Sequence, residues 1–264
     1  MDGIHGKTII VTGASEGIGR ALAIKLSQAG AKLMLAARNQ DRLQALADEL
    51  TGEVSIYPCD VSDQQQCKAL VAATLERYQC LDIVVNNAGI TMWGRFDEMQ
   101  DLAIFERMLQ VNYLGAVYLS HAALPALKAS KGSIATVASL AGLTGVPYRT
   151  GYSASKHAVV GFFDSLRIEL KDDGVDVTVI CPDFVVTETH KRAIGTDGKA
   201  LGETPMNESK LMTAEQCAAL CLDAISGRQR LLITSLRGRL GRWLKLLVPG
   251  LIDRIADRAI RNRH

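Results

Sequence analysis

Short, nearly unbroken apolar runs recur along this chain, each followed by a longer stretch with helical periodicity. Thr8-Ile9-Ile10-Val11, Lys32 to Ala36, Val54 to Tyr57, Asp82 to Val85, Ser133 to Val137 and Val175 to Ile180 read as strands, with Leu231 to Thr234 as an added edge strand. Helices are expected over Gly17 to Ala29, Gln40 to Leu50, 62–78, 97–127 and 152–172. Strands apolar on both faces are stable only when helices cover both, which points to a parallel sheet. Right-handed crossovers then give an α/β fold, doubly wound and Rossmann-type, with its ligand crevice beyond the carboxyl ends of the strands. No linker, repeat or charge block divides the 264 residues, so the chain reads as one domain over 1–264.

Between the first strand and the first helix stands Thr12-Gly13-Ala14-Ser15-Glu16-Gly17-Ile18-Gly19. Glycines at 13, 17 and 19 permit a tight turn and let a pyrophosphate approach backbone N–H groups at the positive end of a helix. The same turn in isolation would mean little, but between a first strand and a first helix it favours dinucleotide binding. The second strand ends in Ala36-Ala37-Arg38, without the acidic residue that binds a ribose 2′-hydroxyl in NAD sites. Arg38 suits a 2′-phosphate, with Ser15 as a second contact, so NADP(H) is favoured over NAD(H); the rival reading is a solvated arginine.

Tyr152-Ser153-Ala154-Ser155-Lys156 sets a phenol and an ammonium four positions apart, on one face of a helix, with Ser139 upstream. A phenol ordinarily ionises near pH ~10, and a nearby cation favours the phenolate. Such a pair can exchange a proton near neutrality.

In order and spacing these segments resemble the short-chain dehydrogenase/reductase family, over nearly all of residues 6–235. The likeness includes the turn at 12–19, Asn86-Asn87-Ala88-Gly89, Asn112, Ser139 and the Tyr152/Lys156 pair. It implies Tyr152 as general acid and base, and Lys156 as the residue that lowers its pKa and holds the nicotinamide ribose. It further implies that Ser139 hydrogen-bonds the substrate oxygen and that Asn112 holds a helix open around a water. Asp60 and Val61 would meet the adenine, while Asn87, Ala88 and Gly89 would line the cofactor. Pro182, Val185 and Thr187 would flank the nicotinamide. Each has a plainer rival: a strand exit for Ser139, buried backbone for Asn112, a cap for a helix beginning near Ser62 in the case of Asp60. One departure stands out, Asp183 where the family usually has glycine; it either crowds the cofactor or is a tolerated turn residue.

Residues 188–211 lack clear periodicity and sit where the family carries its substrate lid, with His190 expected at the surface. Leu240, Trp243/Leu244, Leu247/Val248, Leu251/Ile252, Ile255/Ala256 and Ala259/Ile260 mark an amphipathic tail over 236–264, divided by Pro249-Gly250. Ten Lys/Arg stand against Asp253 and Asp257 after residue 227, so a net charge of +2 conceals a basic tail on a mildly acidic body. Such a tail either lies on a membrane surface or packs on the body or a second subunit. It resembles the tails of membrane-associated hydroxysteroid dehydrogenase-like and acyl/alkyl-dihydroxyacetone-phosphate reductase relatives.

Six cysteines without metal-like spacing read as reduced, buried thiols, and no metal site is expected. The start carries no apolar signal core and no run of about 18 apolar residues occurs, so a cytoplasmic protein is expected, with peripheral membrane contact through the tail. Nucleic-acid binding fits poorly, as the basic residues lack a stacking platform. The reading is an NADP(H)-dependent oxidoreductase acting between a carbonyl and a secondary alcohol of a lipophilic substrate, steroid-like or an acyl-chain ketone, as a homodimer or homotetramer. The alternative is a catalytically idle NADP-binding scaffold or sensor.

Overall fold

The apolar runs assemble, in the computed structural model, into one seven-stranded parallel sheet; the structure describes residues 3–204 and 211–261. The strands are β1 (Thr8–Thr12), β2 (Lys32–Ala37), β3 (Val54–Pro58), β4 (Ile83–Asn86), β5 (Ser133–Val137), β6 (Asp176–Cys181) and β7 (Leu231–Ile233). Their order is β3-β2-β1-β4-β5-β6-β7. The chain builds outward from β1 in one direction and then, from β4, in the other. The crevice between β1 and β4 is therefore the topological switch point, where this class of fold binds ligands.

Alternation along each strand feeds two separate cores. Ile9, Val11, Leu33 and Leu35 pack with Leu22 and Leu26 of α1 (Gly17–Gln28), Leu43 of α2 (Gln40–Glu49) and Cys217 and Cys221 of α7 (Ala214–Ser226). Ile10, Met34, Val84 and Ile134 face the opposite layer: Leu70 of α3 (Gln64–Tyr78), Leu119 and Leu127 of α5 (Gly115–Ser130) and Phe163 of α6 (Thr150–Glu169). A strand residue on either side is thus buried, which explains apolar runs without polar alternation. Five cysteines are buried, but Cys80 is exposed, contrary to the expectation for all six.

The helix expected over 97–127 is not continuous. Phe96–Glu98 forms a single 3₁₀ turn, α4 (Ala103–Leu109) follows, and Gln110–Leu114 is a π-helical turn before α5. The helix expected from residue 62 begins at Gln64, because Asp63 caps it, accepting from the backbone N–H groups of Gln65 (2.7 Å) and Gln66 (3.2 Å). Pro249 does divide the tail, into α8 (Leu236–Leu247) and α9 (Pro249–Arg261). The tail positions 262–264 and the lid positions 205–210 lie outside the described residues, as do the side chains of Ala259 and Ile260.

Candidate active site

Helix α6 starts at Thr150, so Tyr152 and Lys156 lie one turn apart near its N-terminal end. The Lys156 ammonium donates to the carbonyl of Val137, the last residue of β5, at 2.7 Å and stands 5.7 Å from the centre of the Tyr152 ring. Ser139 leaves β5 in extended conformation, its hydroxyl accepting from Ala141 N–H at 3.1 Å and lining the same cleft as the Tyr152 phenol. Burial alone pushes the phenol's pKa up. The charges of Lys156 and Arg149, together with hydrogen bonds to Ser139 and Arg149, outweigh it and hold the phenol below its ordinary value. Burial likewise lowers the Lys156 ammonium, against the opposing pull of Tyr152 and Cys181.

Asn112 lies in the π-helical turn, buried behind this group. Its side-chain oxygen accepts from Ile90 N–H (2.8 Å), and its amide donates to Ile90 C=O (3.0 Å) and to the Ser155 hydroxyl (2.9 Å). Ser155 donates in turn to Tyr152 C=O at 2.8 Å. The wide turn therefore braces both the β4 loop and the first turn of α6.

The glycine turn after β1 packs against the β4 loop. Gly13 is left-handed (φ +62°), and a Cβ there would meet Ala88 Cα and Asn87 Nδ2, each at 2.9 Å. Asn87 donates to Thr12 C=O at 2.9 Å and to Gly13 C=O at 3.2 Å, while Thr12 Oγ1 accepts from the N–H groups of Asn87 and Ala88. A Cβ on Gly19 would collide with Gly13 O, so Gly19 serves close packing behind the turn. Glu16 precedes α1 without capping it through its side chain, which leaves the first-turn N–H groups open to an anion. The backbone thus fits a dinucleotide's pyrophosphate.

One cleft of about 780 Å³ joins these parts. Gly13, Ser15, Gly17 and Ile18 line one end, with Arg38, Asp60 and Val61 beside them. Asn87, Ala88 and Gly89 form its floor toward Ser139, Tyr152 and Lys156, and Pro182, Val185 and Thr187 come from the segment after β6. Gly19 and Asn112 stand behind the wall. Asp60 does not cap α3; its carboxylate accepts from Ser62 N–H (3.0 Å) and the Ser62 hydroxyl (2.7 Å).

Several residues enter the site that sequence reading passed over or read otherwise. Arg42 lines the cleft near Arg38 and pairs with Glu16 at 2.9 Å, and Arg192 of the lid segment pairs with the same carboxylate at 2.5 Å. Arg149 is buried against Tyr152. His190, expected at the surface, is buried, with Nε2 3.0 Å from Val185 C=O and its ring tilted against Phe184. Asp183 is bound by Ser235 and Arg237, which ties α8 to the loop after β6. Leu240, Leu244, Ile252 and Ile255 of the tail also line the cleft. Among the described residues, no cluster of His, Cys, Asp or Glu is placed to hold a metal ion.

A doubly wound sheet with a glycine turn after β1 and a Tyr/Lys helix facing one cleft defines the Rossmann-type dinucleotide-fold class. The family model for short chain dehydrogenase matches residues 7–197, and the chain belongs to the short-chain dehydrogenase/reductase family, a family of oxidoreductases. It is 36% identical to the dehydrogenase/reductase SDR family protein 7-like of Dictyostelium discoideum, over 94% of this chain and 79% of that one. It is 32% identical to the 11-beta-hydroxysteroid dehydrogenase 1A of Arabidopsis thaliana, over 96% and 75%. Among solved structures, a short chain dehydrogenase/reductase from Burkholderia phymatum in complex with NAD superposes with a TM-score of 0.83 at 28% identity, covering 95% of this chain and 96% of that one. An alcohol dehydrogenase from Thermococcus sibiricus complexed with 5-hydroxy-NADP gives 0.76 at 29%, covering 88% and 96%.

Proposed function

We propose that this chain is an NADP(H)-dependent oxidoreductase interconverting a carbonyl and a secondary alcohol on a lipophilic substrate. The observation that carries the reading is the opening of Tyr152, Lys156 and Ser139 into the same cleft as the glycine turn. When bound, the nicotinamide cofactor supplies the hydride donor or acceptor. The turn at Gly13 to Gly19 would hold its pyrophosphate, and Lys156 and Asn87 to Gly89 would line its nicotinamide end.

The chain's own groups handle the proton. In reduction, Tyr152 O–H donates to the substrate oxygen as negative charge develops there, and Ser139 O–H donates a hydrogen bond to the same atom. In oxidation, the Tyr152 oxygen takes the alcohol proton. Lys156, fixed by Val137 C=O, stabilises the phenolate that each reduction leaves. Asn112 keeps the first turn of α6 in place through Ser155.

Arg38, which lines the cleft as Ser15 does and stands where β2 ends without a carboxylate, supports a 2′-phosphate and hence NADP(H). The two solved relatives differ here, one bound to NAD and the other to an NADP derivative. Val146, Phe184, Leu240, Leu244 and Ile252 give the substrate end an apolar lining, in keeping with the steroid dehydrogenase named among the relatives.

The tail supports a place on an anionic membrane surface. Leu236, Trp243, Leu246, Leu247 and Leu251 are exposed on α8 and α9, alongside the exposed Arg239, Arg242, Arg254 and Arg258. No helix among the described residues is long and apolar enough to cross a membrane. Turnover of NADPH with a panel of apolar ketones, compared with Tyr152→Phe, tests the enzymatic reading.

A further inference from the structure

Tyr152 has a second cationic neighbour. Arg149 is only 5% exposed, and its guanidinium carbon stands 4.1 Å from the centre of the Tyr152 ring, closer than the Lys156 ammonium at 5.7 Å. Its Nη2 donates to the Thr91 hydroxyl at 2.6 Å, which seats the guanidinium over the phenol ring. Its Nε finds no acceptor, and among the described residues it forms no ion pair with a carboxylate. A guanidinium stays protonated even when buried, so an unbalanced positive charge persists beside the phenol.

The local backbone is arranged to send this side chain inward. Tyr148, just before it, is left-handed (φ 62°), a conformation that costs energy for a residue with a large side chain. Two contacts hold it there: its ring stacks on Trp93 at 6.2 Å between centroids, and its carbonyl accepts from Gly94 N–H at 2.9 Å. The chain reverses at this point, and Arg149 becomes the residue preceding α6, packed between the rings of Tyr152 and Phe184.

The other titratable groups nearby offer no competing anion. Lys156 lies on the same helix and Ser139 comes from the loop after β5. The Cys181 thiol, at the end of β6, is pushed up to about 12 by burial and stays neutral. The Asp183 carboxylate is taken by Arg237, and His190 turns its Nε2 to Val185 C=O.

We infer that Arg149 is a positioning residue of the acid–base centre, a second cation that acts through Tyr152 and is held on its ring by Thr91. The inference rests on the reading of Tyr152 as the proton-transfer group. In alcohol oxidation the substrate O–H bond breaks and an O–H bond forms on the Tyr152 phenolate oxygen, while the carbinol C–H bond gives up its hydride to the oxidised nicotinamide of the proposed function. Two cations rather than one then favour the phenolate that accepts that proton near neutral pH.

Ultraviolet titration of the phenolate tests this without any substrate. Subtracting the curve of a Tyr152→Phe partner in each background isolates Tyr152. In Arg149→Met the Tyr152 midpoint moves to higher pH, and in Arg149→Lys it moves less. In NADP-linked alcohol oxidation, Arg149→Met loses about tenfold or more in kcat/KM at neutral pH and regains it as the pH rises, with NADPH affinity unchanged. A role confined to packing would lower the rate at every pH and leave the midpoint in place, and that result overturns the inference. Should Arg149→Met fail to fold, Thr91→Val removes only the hydrogen bond that seats the guanidinium; an upward midpoint shift supports the inference, and an unmoved midpoint overturns it. A shifted midpoint in a protein that turns over no alcohol or ketone would uphold Arg149's action on Tyr152 and defeat the enzymatic reading instead.

Discussion

Arg237 grips Asp183 side-on with one edge of its guanidinium, Nε to Oδ2 at 2.5 Å and Nη2 to Oδ1 at 2.6 Å. Ser235 donates to the same carboxylate at 2.6 Å, and Phe184 N–H donates at 2.8 Å. The residue that replaces the family's glycine after β6 is therefore an anchor for the tail. It fixes α8 to the loop after β6, which lines the cleft.

Breaking that anchor should loosen the tail before it touches the sheet. The Asp183 side chain is only 8% exposed but that of Arg237 is 59%, so solvent discounts the pair well below a fully buried one. Asp183→Asn is expected to cost about 1–2 kcal/mol in thermal or denaturant unfolding. Burial pushes the Asp183 carboxyl up, but Arg237 and Ser235 more than reverse this and hold it below the usual carboxylate range. Its stabilisation is then fully present above the unfolded value near ~3.9 and is lost as pH falls through the lower folded value. The gap between wild type and Asp183→Asn should be constant near neutrality and close only in strong acid; a gap that widens on acidification would contradict the pairing.

Asn112 offers a second stability test. Removing its side chain leaves the half-buried N–H and C=O of Ile90 without their partner. Asn112→Ala should lower unfolding free energy by about 1–3 kcal/mol and slow turnover, since the first turn of α6 loses its brace. An unchanged denaturation midpoint would mean that the π-helical turn holds without it.

Much of this arrangement can be read from residue order alone. Continuous apolar strands announce a sheet covered on both faces, and the Tyr152/Lys156 spacing announces a shared helix face, because both signals are periodic. Arg149 has no such signal: a left-handed Tyr148, stabilised by Trp93 and Gly94 far upstream, decides where it points. The pairing of Arg42 and Arg192 on Glu16 spans loops distant in sequence, and the burial of His190 depends on Phe184 and Val185 folding over it. Periodicity does not show the break in the helix at 97–127, since a π-helical turn keeps helical composition while shifting the face it presents; only the role that the family resemblance implies for Asn112 points to it.

Cofactor choice should turn on Arg38. Arg38→Ala is expected to weaken NADPH binding about tenfold or more while leaving NADH nearly unaffected, as read by cofactor fluorescence titration. Equal losses for both cofactors would remove the 2′-phosphate reading. Arg42 lines the same cleft, and its change to Ala should give a smaller effect in the same direction.

The tail prediction is read by vesicle flotation. Wild type should float with vesicles rich in anionic lipid and not with zwitterionic ones, and the triple variant Trp243→Glu, Leu246→Glu, Leu247→Glu should stay at the bottom. These three side chains are exposed, so the body should remain folded. Loss of a dimer in the variant, with no flotation by the wild type, would assign the apolar face to a second copy of the chain.

NADPH consumption with apolar ketones, followed for wild type and Tyr152→Phe alongside their NADPH affinities, addresses the chemistry most directly. Removal of the phenolic proton should cut kcat/KM by about a hundredfold or more with cofactor affinity unchanged. A Tyr152→Phe protein that reduces ketones at the wild-type rate would show that the proton comes from elsewhere.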